Sequence, residues 1–157
     1  MMQRTPSQTV GPYYAIGLAR RDESKLVPEG VRLSGELVDG DGVPVVDGMI
    51  EVWDQVGRHW ARSGTHPAGT FSFTVEKPAA TGANAPHLLV YVFARGLLKH
   101  QLTRLYFPDE QEANAADPVL SALPEEDRAR LVAEQDDDGL RFDIHLQGDR
   151  ETIFFTA

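Results

Sequence analysis

The sequence predicts an all-β protein, an antiparallel β-sandwich with one short helical excursion. Two observations carry that expectation. Short apolar runs alternate with polar residues at period two and are separated by Gly, Asp and Pro turn signals. One segment, Pro124 to Glu134, has the features of a helix, preceded by a short turn near Asp109 to Asn114. Six or seven strands and one helix fit a sandwich better than any layered α/β arrangement. At 157 residues the chain fits one domain with a core large enough to need no staple.

In chain order, Thr5 to Leu18 (TPSQTVGPYYAIGL) has neither helical nor strand periodicity. Such an arm has no core of its own. Two tyrosines and an isoleucine suit a segment laid across another surface. Residues 1–18 are therefore expected to pack on a partner chain, and residues 19–157 to form a single β-sandwich domain. Arg20 to Gly30 is charged and reads as loop. Val31 to Val38 alternates, with Leu33 and Leu37 facing inward, and Asp39-Gly40-Asp41-Gly42 is a strong hairpin turn signal. Met49 to Trp53 is the expected returning strand. Gln55 to Gly69 lacks a period and reads as loop, and Thr70 to Glu76 places Phe71, Phe73 and Val75 inward.

The chain is organised around Ala85 to Phe107. From His87 to Ala94 it is nearly all apolar, as in a strand covered on both faces. Alternation puts His87, Leu89, Tyr91, Phe93 and Arg95 on one side if the strand runs that far. Gly96 breaks it, and Leu102 to Phe107 is the next strand. After the helix, Leu140 to Leu146 is a clean strand with Leu140, Phe142, Ile144 and Leu146 inward. A last strand is expected from Glu151 to Thr156.

Composition excludes several classes of function. There is no cysteine, so disulfides and thiolate metal sites are ruled out. A formal net charge of −9 argues against a nucleic-acid partner. Nothing reads as a signal peptide or membrane span, and cytoplasm is the default location. His59, His66, His100 and His145 fall in loops, a connection and a polar strand face, and read as surface or structural residues.

The arm TPSQTVGPYYAIGL, the segment GELVDGDGVPVVDGMIEVWD, the central APHLLVYVFARG, TRLYF and the ending RFDIHLQGDRETIFF together resemble the intradiol ring-cleaving dioxygenases. The likeness runs from about Thr5 to Phe155 and is weakest between Gln55 and Gly69. Within the family the chain is most like the alpha chains of two-chain members. The resemblance implies a β-sandwich of the intradiol type and a mononuclear non-haem Fe(III) held by two Tyr and two His. It also implies opening of a catechol ring between its hydroxyls with O₂. For the two-chain members it implies protocatechuate as substrate, 3-carboxy-cis,cis-muconate as product, and a beta chain as the partner that carries the iron.

This chain departs from the iron-binding pattern. The family's Tyr ligands come from the segment before the central strand, where no tyrosine stands between Tyr14 and Tyr91. Its His pair lies at i and i+2 on that strand, and here the positions are His87 and Leu89. One imidazole cannot hold a hard ferric ion, so no metal ligand is expected in this chain. The resemblance assigns substrate-pocket roles to Thr9, Gly11, Pro12 and Tyr13 of the arm and to Arg95 of FARG. A guanidinium fork suits a ring carboxylate, Gly11 lets backbone approach a ligand closely, and Pro12 fixes the bend. No residue stands out as a catalytic base or nucleophile. VRLSGELVDGDGVPVVDG also resembles transthyretin-like and carboxypeptidase-regulatory-like binding modules, the alternative reading, but such modules have no reason to begin with TPSQTVGPYY.

Overall fold

The computed structural model describes residues 4–11, 13–20 and 23–156. Within them a short helix α1 (Tyr14–Leu18) precedes strands β1 (Val31–Val38), β2 (Met49–Asp54), β3 (His59–Gly64), β4 (Thr70–Val75), β5 (His87–Phe93) and β6 (Gln101–Tyr106). Helices α2 (Gln111–Ala116), α3 (Pro118–Ser121) and α4 (Glu125–Ala129) follow, then β7 (Glu134–Asp136), β8 (Gly139–Arg141) and β9 (Ile144–His145).

Two sheets face each other. One is antiparallel, in the order β3-β2-β5-β6. The other runs β4-β1-β8-β7, with β9 continuing along β1. Alternation explains the core between them. Leu33, Leu37, Phe71, Phe73, Val75, Leu140 and Ile144 point inward from one sheet, and Ile50, Val52, Leu88, Val90, Val92 and Leu105 from the other. A smaller cluster of Ala85, Tyr106, Leu120 and Leu131 lies on the outer side of β6, beneath α3 and the turn after α4.

Several sequence expectations are corrected. The sandwich is not wholly antiparallel, because β1 pairs in parallel with β8 and β9. The Asp39–Gly42 turn does not close a hairpin. Its Asp39 carboxylate accepts from the Asp41 and Val43 amides, yet β1 and β2 belong to opposite sheets. Buried Thr65 turns the chain across: its hydroxyl donates to the Val45 carbonyl at 2.6 Å and accepts from the Gly48 amide at 2.8 Å. Gln55 to Gly69 contains β3, an edge strand in which only Ala61 is buried, so no apolar alternation marks it. The pair of Arg62 with Glu51, its opposite number on β2, holds it in place.

The single helix is replaced by three short ones. Pro124 to Glu134 stops being helical after Ala129, because the Tyr106 amide donates to the Leu131 carbonyl and the Ala133 amide to the Tyr106 carbonyl. That pairing needs extended backbone. Leu140 to Leu146 is divided into β8 and β9. The last segment is not a strand; it meets β6 through one bridge, Phe155 opposite Leu102. Its side chains serve both clusters, Phe154 the main core and Ile153 and Phe155 the smaller one. Finally, β5 ends at Phe93, so Arg95 leaves the strand face that carries His87.

Candidate functional site at the end of the central strand

At the end of β5 the chain passes through buried Ala94 to Arg95 and reverses at Gly96, whose φ of +96° suits glycine. The arm is laid against this turn. The Gly96 amide donates to Thr9 Oγ1 at 2.8 Å, and the Tyr14 hydroxyl donates to the Phe93 carbonyl. Between the two attachments the Tyr14 amide donates to the Gly11 carbonyl at 3.2 Å. Further along, Ala15 is buried, and Arg62 donates to the carbonyl of Leu18 at 3.0 Å.

Between these anchors the arm faces solvent. A side chain at Gly11 would meet nothing within 4 Å, and Tyr13 and Ile16 are 77% and 73% exposed. Arg95 is also open, its side chain 64% exposed, with Nε 3.3 Å from Asp47 Oδ2. The structure thus brings Thr9 and Arg95 together through Gly96 and puts Gly11 and Tyr13 on the same arm turn. Pro12 lies outside the described residues. Tyr14 is one of the two arm tyrosines the sequence marked for a contact, and that contact is with this chain's own Phe93 carbonyl. Asp47 carried no such signal, because it lies in what reads as one limb of a hairpin. Burial, and then the charge of Asp47, raise the Tyr14 hydroxyl's pKa, so it stays a donor. A cleft of about 580 Å³ opens beside the arm, lined by Gln8, Val10, Phe93, Leu97, His100 and Phe155. His100 packs on Tyr91 and Phe93, with centroids 5.4 and 5.6 Å away.

The other end of β5 carries His87, half-buried on the outer sheet face. Its Nδ1 is 2.8 Å from the Ala85 carbonyl oxygen and its ring lies 5.3 Å from that of Tyr106. Burial, aided by Arg104, holds its pKa below the usual histidine range, against the Ala85 carbonyl and Asp117. Burial pushes the Tyr106 phenol up to about 12. That hydroxyl donates to Asp117 at 3.2 Å and accepts from Arg104, which also donates to Asn84.

These residues do not fit the family's ferric ion. Leu89 stands two residues after His87, the nearby phenol is protonated and already bonded, and the Arg104 guanidinium sits opposite Leu89 on the neighbouring strand. Among the described residues no group of three His, Asp or Glu could hold a metal. His59 lies 3.7 Å from Asp54 at the β2–β3 turn, and His145 pairs with Val38 at the end of β1. Among the described residues no helix is long and apolar enough to cross a membrane.

Solved structures with the same arrangement are intradiol enzymes. The dioxygenase domain of a carbohydrate-binding fusion from Streptomyces sp. SirexAA-E superposes with a TM-score of 0.62 at 23% identity, covering 93% of this chain and 99% of that one. An intradiol ring-cleavage dioxygenase from Tetranychus urticae gives 0.62 at 16%, covering 97% and 100%. At such identities the likeness is one of fold, and the fold is that of the intradiol dioxygenases. No protein-family model matches the chain. The protocatechuate 3,4-dioxygenase alpha chain of Burkholderia cepacia is 41% identical over 192 residues, covering 98% of both chains. That of Pseudomonas putida is 37% identical over 195, covering 99% of this chain and 97% of the relative. The chain belongs to the protocatechuate 3,4-dioxygenase alpha-chain family.

Proposed function

We propose that this chain is the non-iron subunit of a two-chain enzyme that opens the ring of protocatechuate between its hydroxyls with O₂. The product is 3-carboxy-cis,cis-muconate. In this reading a beta chain holds the Fe(III), and the alpha chain closes the substrate pocket and supports assembly. A cysteine-free composition suits the cytoplasm as its location. One observation carries the reading: the Thr9–Gly96 hydrogen bond holds the arm beside Arg95, leaving a guanidinium and a backbone turn exposed on one edge. That edge can supply one wall of a pocket completed by another chain. Arg95 would take the ring carboxylate, Gly11 and Pro12 would bring backbone close to the ring, and Thr9 and Tyr13 would line the wall.

The test is Arg95→Ala in the complex reconstituted with the beta chain. Loss of a charge-assisted hydrogen bond of about 1.5–3 kcal/mol should raise KM for protocatechuate roughly tenfold to a hundredfold. Unsubstituted catechol lacks the carboxylate, so preference for protocatechuate over catechol should fall. Arg95→Lys should restore part of it, keeping charge without the fork. Equal losses for both substrates would return Arg95 to a structural role.

A further inference from the structure

Arg95 leaves the sheet just past Phe93, where side chains are usually free to wander. The antiparallel register of β2 with β5 pairs Met49 with Phe93. Continued two residues further, it sets Asp47 opposite Arg95. The carboxylate oxygen Oδ2 lies 3.3 Å from Nε of the guanidinium. Asp47 is itself on a fixed segment, since Thr65 grips Val45 on one side of it and Gly48 on the other. It is 21% exposed, against 64% for Arg95.

We propose that Asp47 is the positioning residue of the substrate side: it engages Arg95 through Nε and leaves the two terminal nitrogens directed outward as a fork for a carboxylate. The proposal rests on the reading of Arg95 as the carboxylate partner. Chemistry favours this division of the guanidinium, because an ion pair made at Nε leaves the edge formed by the two terminal nitrogens available to a second carboxylate. The same carboxylate bears on Tyr14, the residue that ties the arm to the Phe93 carbonyl. One fixed anion is thus shared by both parts of the candidate pocket wall. It also balances the Arg95 charge, so an empty pocket does not hold an uncompensated cation.

The experiment is a double-mutant cycle in the reconstituted two-chain complex, with Asp47→Asn, Arg95→Ala and the pair, assayed on protocatechuate and catechol. Exposed ion pairs couple weakly, so Asp47→Asn should lower the preference for protocatechuate roughly twofold to fivefold, through KM rather than kcat. Added to Arg95→Ala, the same change should do nothing further to that preference. A preference unchanged by Asp47→Asn, with Arg95→Ala still selective, overturns the role of Asp47 and leaves that of Arg95. Parallel loss on both substrates makes Asp47 structural and likewise overturns it. If Arg95→Ala is itself unselective, the reading of Arg95 fails and this inference fails with it.

Discussion

His87 opens the central strand without a metal-ligand partner two residues on. It is half-buried, its Nδ1 beside the Ala85 carbonyl just before the strand and its ring packed at a tilt on Tyr106. Its folded pKa is depressed, so the folded state resists the proton that the unfolded chain accepts near pH 6.5. Unfolded molecules bind more protons below that value, and stability must fall as pH drops through 6.5 toward the folded pKa. Thermal melts across this range should show the loss, and His87→Gln should flatten it. His145, depressed by burial and Arg150, leaves a residual slope. An identical pH dependence in both proteins would mean that His87 is solvated. The site was unevenly legible in the sequence. Thr9 and Arg95 stood out as candidates because their motifs are local, but the bond that sets Thr9 beside Arg95 did not. Nor did Asp47 and the Arg104–Tyr106–Asp117 chain, since their partners are set by strand pairing.

At the scale of elements, the helical excursion hangs on Asp117. Fully buried, its Oδ1 accepts from the Val119 and Leu120 amides at the start of α3, and its Oδ2 from the Ala85 amide before β5. Asp117→Ala strands three amides and the Tyr106 hydroxyl, and a loss on the order of 3 kcal/mol is expected in urea unfolding. Asp117→Asn should lose less. The arm is the other dependent element. Tyr13 and Ile16 stay exposed although Thr9 and Tyr14 anchor the arm, and in the proposed two-chain enzyme they are the residues a partner would cover. Removing residues 1–18 should weaken assembly with the beta chain in light scattering; unaltered assembly would show that the arm takes no part in it. β1 and β4 were readable from the alternation of their inward residues, and β5 from its nearly unbroken apolar run. β3 was not, because an edge strand with a single buried residue, held by Arg62 and Glu51, has no apolar period to read.

At the scale of the whole molecule, the lack of a fitting ligand set among the described residues predicts that the purified chain alone binds no stoichiometric iron and cleaves no catechol. Metal analysis checks the first; one tightly held Fe(III) with a phenolate charge-transfer colour would refute it. The parallel pairing of β1 has a further consequence, in time rather than in space. Leu33 lies against Leu140, and Leu37 against Ile144, partners far apart in sequence. On the ribosome β1 emerges before β4 and can pair with it, but its other edge stays open until β8 and β9 are made. Closing so long a loop is slow, and an open strand edge invites aggregation meanwhile. The second sheet is complete by Tyr106, well before the first. Translation therefore delivers a half-built sandwich, and its first strand is sealed only once β8 and β9 have followed.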